Sequence, residues 1–177
     1  MIQLKFLALA SIVALAGCET MTISECQVAD WRRVGFDDGA RGESDRRLAA
    51  HTESCAKAGI RPQPQAYRRG WDDGIERFCT AANGWREGLQ GNASQAGVCR
   101  GQSGYEPFSR YLEAGLQVHR TQGELRQNDA QLRRLQKQLE EATNDDRKRR
   151  LREDMRSLDR EQYQWRNQLR QQQMLAP

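Results

Sequence analysis

Residues 35–39 read Gly-Phe-Asp-Asp-Gly, and the pattern returns as Gly-Trp-Asp-Asp-Gly at 70–74 and as Gly-Trp-Arg-Glu-Gly at 84–88. On a helix, two glycines four residues apart share one face and form a flat strip that another backbone can approach closely. Glycine costs about 1 kcal/mol relative to alanine inside a helix, so its recurrence indicates a packing requirement. The pattern therefore predicts three short helices that pack through glycine strips and aromatic rings: Trp31, Gly35, Gly39, Tyr67, Gly70, Trp71, Gly74, Gly84 and Gly88.

The paired acids inside the repeats suggest two kinds of chemistry. Acid–base catalysis needs carboxylates that converge on one atom, but adjacent helical residues such as Asp37 and Asp38 point about 100° apart. Asp37 has Arg41, and Asp73 has Arg77, at the four-residue spacing of helical ion pairs. A calcium loop would need the alternating D-x-D-x-D-G ligands, which these repeats lack. We assign no catalytic residue and no metal site to them.

The N-terminal residues 1–17 have the organisation of a signal peptide. Lys5 precedes an apolar run over 6–16, which is shorter than the roughly 20 residues of a membrane-spanning helix. Residues 15–18, Leu-Ala-Gly-Cys, resemble a bacterial lipobox. That resemblance implies cleavage before Cys18 and acylation of this cysteine, including palmitate-type chains. The alternative is an ordinary signal peptide that leaves a periplasmic protein without an anchor.

A lipid on Cys18 would hold the mature chain on a membrane, because two or three acyl chains bind stably where one does not. Glu19 follows the cysteine, whereas an Asp at this place usually retains Gram-negative lipoproteins in the inner membrane. The resemblance therefore implies the inner leaflet of the outer membrane, facing the periplasm.

The composition excludes several classes of protein. The chain has 177 residues, 37% of them apolar, with 28 basic and 24 acidic residues and a formal charge of +4. So few apolar residues exclude a polytopic membrane protein and disfavour one large, deeply buried enzyme domain. The mixed charges do not indicate simple disorder, and nucleic acid is not an expected partner of an exported protein.

Four further cysteines, Cys26, Cys55, Cys79 and Cys99, form an even set. In an exported chain this predicts two disulfides, with three possible connectivities. Zinc is disfavoured, because no two cysteines have the C-x-x-C spacing and the chain has only two histidines. We expect no metal and no other cofactor.

Predicted helix ends favour one of the three connectivities. A Ser24–Gln27 capping box starts one helix near Glu25, and a second helix runs from Ser44 or Asp45 to Gly59. The third runs from Pro64 to Cys79. If successive helices are antiparallel, Cys26 lies near Cys55, and Cys79 lies at the opposite end, within reach of Cys99.

The C-terminal region has the heptad pattern of a coiled-coil-like hairpin. From Pro107 to about Thr143 the chain is helix-forming, with leucines seven residues apart at Leu125, Leu132 and Leu139. Residues 143–146, Thr-Asn-Asp-Asp, interrupt the pattern with turn and N-cap residues. A second series, Leu151, Leu158 and Trp165, follows out of register with the first. Two antiparallel helices explain this better than one rod.

The hairpin seam is narrow, and polar Asn128 and Gln162 interrupt it, which can set its register at some cost in stability. A protein partner or a second copy would help such a hairpin, and the alternative is an autonomous spacer. The basic run 147–150 could contact anionic lipid or lipopolysaccharide phosphates, or could simply be a solvated face. His51 and His119 are interpreted as structural or solvent-exposed, since the sequence places no matching nucleophile or carboxylate beside them.

The region from Cys26 to Cys99 is similar to one bacterial lipoprotein family, the domain of unknown function two-seven-nine-nine. The residues that carry the resemblance are Cys26, Asp30, Trp31, Gly35, Asp38, Gly39, Gly42, Cys55, Gly59, Pro62, Tyr67, Gly70, Gly74, Phe78, Cys79, Asn83, Gly84, Gly88, Gly91, Gly97, Val98 and Cys99. Phe78 stands where the family pattern leads us to expect tyrosine. Members often continue into a charged helical hairpin, but the resemblance implies no activity and no catalytic residue.

These observations predict a mainly α protein, a small disulfide-stapled helical domain followed by a long antiparallel helical hairpin. The expected organisation is signal peptide 1–17, lipidated linker 18–24, Cys/Gly-rich domain 25–104 and hairpin 105–174. The expected function is that of a lipid-anchored envelope adaptor without enzymatic activity, whose hairpin meets a protein partner or another copy. The alternative is a cell-wall or lipopolysaccharide binding module, based on the aromatic residues beside the glycines, and less favoured is an envelope hydrolase.

Overall fold

The structure, a computed structural model, describes residues 19–177, so the expected signal peptide and Cys18 lie outside the described residues. The described range is helical and has no strand. Its elements are α1 Ile23–Gln27, α2 Trp31–Ala40, α3 Arg47–Ala56, α4 Pro64–Phe78, α5 Ala81–Leu89, a 3₁₀ turn Ala93–Gly97, α6 Tyr105–Glu141 and α7 Asp145–Gln173. The predicted fold class is confirmed. None of the helices in this range is long and apolar enough to cross a bilayer.

Helices α2 and α4 pack backbone against backbone through their glycine strips. A methyl group on Gly35 would lie 2.0 Å from the Tyr67 carbonyl oxygen, and one on Gly39 would lie 2.4 Å from that of Trp71. On the reciprocal glycine, Gly70, an added methyl group would lie 1.8 Å from the carbonyl oxygen of Arg32. Since the contacts advance in the same direction along both helices, α2 and α4 run parallel, with antiparallel α3 in the connection between them.

The third glycine strip packs on a different partner. A methyl group on Gly84 would lie 2.2 Å from the carbonyl oxygen of Phe108, and one on Gly88 would lie 2.3 Å from that of Leu112. Helix α6 contributes a glycine of its own to this contact, Gly115. A methyl group added there would lie 2.5 Å from the Trp85 carbonyl oxygen. The molecule therefore has two parallel pairs, α2 with α4 and α5 with α6, instead of one group of three short helices.

The two disulfides link Cys26 to Cys55 and Cys79 to Cys99, with Cα–Cα distances of 5.5 and 5.6 Å. This is the connectivity that the sequence favours. The first bond ties α1 to the end of α3, and the second ties the end of α4 to the segment before α6. The first bond therefore holds α3, which connects α2 to α4. The second bond holds the segment that connects α5 to α6.

Removal of the first disulfide is expected to lower the free energy of unfolding by about 3 kcal/mol, because the bond closes a long loop in the unfolded chain. The double variant Cys26→Ser/Cys55→Ser avoids a free thiol, and urea denaturation of the purified, oxidised protein measures the loss. A second double variant, Cys79→Ser/Cys99→Ser, opens a somewhat shorter loop, with a sequence separation of 20 against 29, so its loss should be slightly smaller. A denaturation midpoint unchanged in both variants would contradict the disulfide assignment.

The predicted first helix is broken into two. Thr22, not Ser24, is the N-cap of α1, and its capping-box partner is Glu25, not Gln27. Asp30 then caps α2 by accepting hydrogen bonds from the backbone N–H groups of Arg32 and Arg33. The predicted second helix is also shorter, because α3 begins at Arg47 and ends at Ala56. Several side chains in this short segment can act as N-caps, because Thr, Ser and Asp all accept from backbone N–H groups. Sequence spacing alone does not show which of them begins a helix.

The hairpin consists of α6 and α7, joined by residues 142–144, and α7 is capped by Asn144, whose side chain accepts from the Arg147 backbone N–H. Leu151 and Leu158 are buried in its seam. Asn128 is buried in the seam, where its Nδ2 donates to the Leu158 carbonyl at 3.1 Å, a contact between the two helices. The N-terminal part of α6 belongs to the α5 pair, so one helix is shared by the Cys/Gly-rich head (19–118) and the hairpin.

Candidate functional site

A buried polar cluster joins three helices of the head. Asp38 of α2, His51 of α3 and Tyr67 of α4 are exposed by only 1%, 3% and 1%. Asp38 reaches this position because it lies three residues after Gly35 and one before Gly39, on the glycine face of α2. A carboxylate at such a site must be compensated by hydrogen bonds or charge.

Asp38 accepts hydrogen bonds on both of its oxygens. Oδ2 accepts from the Tyr67 hydroxyl at 2.8 Å and from Nε2 of His51 at 2.8 Å. Oδ1 accepts from Nη2 of Arg41 at 2.6 Å, and Nε of Arg47 lies 3.6 Å away. The carboxylate is thus held by donors from α3, from α4 and from Arg41, which directly follows α2.

These contacts decide how the cluster titrates. Burial acts to raise the pKa of Asp38, but hydrogen bonds from His51, Tyr67 and Arg41 outweigh it and hold the pKa below its ordinary value. Burial, together with the bond to Asp38, raises the pKa of the Tyr67 hydroxyl. Asp38 is therefore an anion and Tyr67 a neutral donor at neutral pH.

The cluster continues to the first described residues. Nδ1 of His51 shares a hydrogen bond with Oγ1 of Thr20 at 2.8 Å, and the Thr20 backbone N–H donates to Oγ of Ser54 at 3.1 Å. Glu19 forms an ion pair with Lys57. The chain is thus fixed to α3 from residue 19 onward, although the sequence suggests a linker over 18–24.

An open pocket of about 280 Å³ lies beside the cluster. Thr20, His51, Asp38 and Arg47 line its polar side, and Val28 lies on its apolar side. The order carboxylate, imidazole, hydroxyl is also that of hydrolytic triads. In this protein the Thr20 hydroxyl also contacts Oγ of Ser54 at 3.3 Å. The hydroxyl is therefore held by two side chains of α3, those of His51 and Ser54.

The structure corrects several predictions about charged residues. His51 is buried and has a carboxylate partner, Asp38, contrary to expectation. Asp37 pairs with Arg33 at 3.1 Å instead of Arg41.

In the second repeat, Asp73 pairs with Arg32 at 2.9 Å instead of Arg77. Arg77 lies over the Phe36 ring, 5.3 Å from its centroid. The second histidine, His119, has Nδ1 3.0 Å from the Leu89 carbonyl at the end of α5. Residues 19–177 contain no group of three or more acidic, histidine or cysteine residues that could hold a metal.

The aromatic residues singled out in the sequence lie in the core of the head, whereas the glycines are divided between the two helix pairs. Trp31, Tyr67 and Trp71 are buried in one apolar cluster with both disulfides. Their ring faces are therefore occupied by the head itself. The cluster around Asp38 was missed because its partner His51 comes from a helix whose position no spacing rule predicts.

Comparison with known protein families gives a match over part of the chain. Residues 30–117 match the family described as "Protein of unknown function (DUF2799)", which supports the domain of unknown function to which the sequence is similar. The matched range runs from the N-cap of α2 to the part of α6 that packs on α5, so it includes Asp38, His51 and Tyr67. Neither the curated proteins nor the solved structures contain a significant match to the chain.

Proposed function

We propose that this protein is a lipid-anchored module of the bacterial cell envelope, without enzymatic activity, that presents its hairpin to a protein partner or to a second copy. The anchor would be an acylated Cys18, in the inner leaflet of the outer membrane and facing the periplasm. The observation that carries the proposal is the fixing of Glu19 and Thr20 to α3, directly after the lipobox-like sequence.

This geometry favours direct attachment of the head to a membrane. Because the chain is fixed from residue 19, an acyl group on Cys18 would leave almost no free chain between lipid and head. Ile23 and Val28 of the adjacent segment are exposed by 53% and 83%. Apolar side chains beside a lipid anchor add to membrane binding, which supports a membrane-facing surface here.

The hairpin supplies the surface for an interaction. C-terminal to the part of α6 that packs on α5, helix α7 covers one side of α6. The other sides of this part of α6 are exposed to solvent. Tyr163 on α7 is exposed by 67%. Since tyrosine is enriched in protein interfaces, this exposed ring supports a binding surface on the hairpin. The cell-wall alternative loses its original basis, because Trp31, Tyr67 and Trp71 are buried.

Photocrosslinking in living cells tests the proposal. Probes at exposed hairpin positions are expected to give a discrete heavier band whose mass separates a partner from a second copy: Gln131, Gln138, Arg156 and Gln168. The control position is Arg69, exposed on α4 of the head, where we expect no such band. Absence of a band at all four hairpin positions would reject the adaptor role.

The same cells report on the anchor. Growth with an alkynyl fatty acid is expected to label the wild type and to leave Cys18→Ser unlabelled. Labelling that persists in the variant, or is absent from both, would reject lipidation at Cys18. The crosslinking result does not depend on this outcome, so the two parts of the proposal fail separately.

A further inference from the structure

A row of arginines runs along α7 on the side that faces away from α6. Residues three and four positions apart share one face of a helix, and the seam residues Leu151 and Leu158 lie on the opposite face, buried. The members of this arginine row are Arg149, Arg152, Arg156, Arg160, Tyr163, Asn167 and Arg170. All of them are exposed except Asn167, which is half-buried. The row is about 32 Å long at 1.5 Å per residue.

The arginine row carries five positive charges and no acidic residue. Among residues 19–177, Arg149 is the one arginine of the row that forms an ion pair, with Asp146. Arg170 donates to the side-chain oxygen of Asn167, which is a neutral partner. Exposed helix faces usually mix both signs at a spacing of four residues. Four guanidinium groups of this row therefore lack a counter-charge from the described chain.

The positive strip is narrow, because acidic residues lie on both of its flanks. Glu153 lies on one side of the row and Asp159 on the other. A flat anionic membrane would meet these acids together with the arginines. An interfacial helix also inserts an apolar face into the bilayer, whereas the apolar face of α7 packs on α6. A narrow acidic segment therefore fits the row better than a membrane does.

The side chains of the row are those of protein interfaces. Tyr163, in its middle, is exposed by 67%, and tyrosine and arginine are both enriched at the centres of protein–protein contacts. The planar guanidinium group binds a carboxylate through two parallel hydrogen bonds. The row thus fits a segment with several carboxylates in line and an apolar side chain opposite the Tyr163 ring.

A second copy of the chain does not offer such a segment. No helix within residues 19–177 has acids at three successive positions of a comparable row. Asp72 and Glu76 of α4 are an example of a series of two. The charge of the row therefore favours a different protein over self-association.

We propose that the arginine row of α7 binds an acidic segment of a partner protein, with carboxylates of that segment on Arg152, Arg156 and Arg160. This inference rests on the adaptor role proposed for the hairpin. It deepens that role, because it names the face of the hairpin and the chemistry of the partner.

Poly-L-glutamate serves as the probe in solution. The protein is exported behind a cleavable signal peptide so that it starts at Glu19, without an acyl group and with both disulfides formed. We expect binding at low ionic strength that weakens as salt screens the charges. The triple variant Arg152→Gln/Arg156→Gln/Arg160→Gln should weaken binding about tenfold, the sum of three exposed ion pairs. Its thermal midpoint should not change, since glutamine is also a good helix former.

The matched control removes the same number of charges from α6. The variant Arg126→Gln/Arg133→Gln/Arg134→Gln changes three exposed arginines outside the row and should leave the affinity nearly unchanged. The proposal is overturned if poly-L-glutamate does not bind, or if the two triple variants weaken binding equally. It is also overturned if phosphatidylglycerol vesicles bind through the row and poly-L-glutamate does not, because the occupant would then be a membrane.

Photocrosslinking in living cells separates this proposal from the adaptor role. A probe at Asn167 should give a heavier band that is lost in the row variant and kept in the α6 variant, and the crosslinked peptide should be acidic. A band with the mass of two copies would overturn the proposal. Bands at Gln131 or Gln138 with none at Asn167 would reject the row and leave the adaptor role standing, whereas no band at any hairpin position would reject both.

Discussion

Replacement of Gly70 by alanine is expected to leave little folded protein. The new methyl group would lie 1.8 Å from the Arg32 carbonyl oxygen, a backbone atom that no side-chain rotation can move away. Helices α2 and α4 would have to separate, and the Tyr67–Asp38 hydrogen bond joins these two helices. We expect a loss of at least about 3 kcal/mol in unfolding free energy, at the upper end for an overpacked core. Urea denaturation followed by circular dichroism measures it.

Gly123→Ala is the matched control for this experiment. Gly123 also lies inside a helix, but the nearest atom to its added methyl group would be Nη2 of Arg126, 3.9 Å away. Without a clash, alanine should stabilise the helix by about 0.5–1 kcal/mol. If Gly70→Ala unfolds at the wild-type midpoint, the close parallel packing of α2 on α4 is wrong.

Asp38→Asn is expected to have the second largest effect. The variant keeps the volume but presents an amide N–H₂ to donors from Tyr67, His51 and Arg41. Loss of one partner of a buried ionic network costs about 3–5 kcal/mol. The same denaturation experiment at neutral pH measures the loss.

The pH dependence gives this prediction a second readout. The pKa of Asp38 is lowered in the folded state, so its stabilisation is complete above the unfolded pKa of about 3.9. It disappears as the pH falls through the lower folded value. The wild type should therefore lose this part of its stability below about pH 4, and Asp38→Asn should lack that part at every pH.

The control is Asp37→Asn, one residue earlier on α2. Asp37 is half-exposed and pairs with Arg33 at the surface, so the cost should stay below about 1 kcal/mol. Equal losses in the two variants would show that burial and the contacts to His51 and Tyr67 are not what makes Asp38 important.

Local signals were enough to predict much of this fold. Asn144 and the change of heptad register place the hairpin turn, and the glycine spacing identifies the close-packed faces. The ends of the predicted helices bring the correct cysteines together, although α1 and α2 are separate helices. These features depend on residues near one another in sequence, where spacing and capping rules apply.

What could not be predicted depends on which helix lies beside which. Asp38 and Asp73 occupy the same place in their repeats, three residues after the first glycine. Asp38 is buried because α3 brings His51 to it, whereas Asp73 is exposed and pairs with Arg32. Likewise, the sequence does not show that the third glycine strip packs on α6. Such pairings are properties of the tertiary fold, which periodicity does not encode.

The continuity of α6 gives the molecule a mechanical property. Its first turns are clamped to α5 by Gly84, Gly88 and Gly115, and residues 121–141 extend from that clamp by about 30 Å at 1.5 Å per residue. Since α6 is helical without a break from Tyr105 to Glu141, there is no joint between the clamp and the tip. A lateral force at residues 142–144 therefore acts as a torque on the α5–α6 contact, with the hairpin as its lever arm.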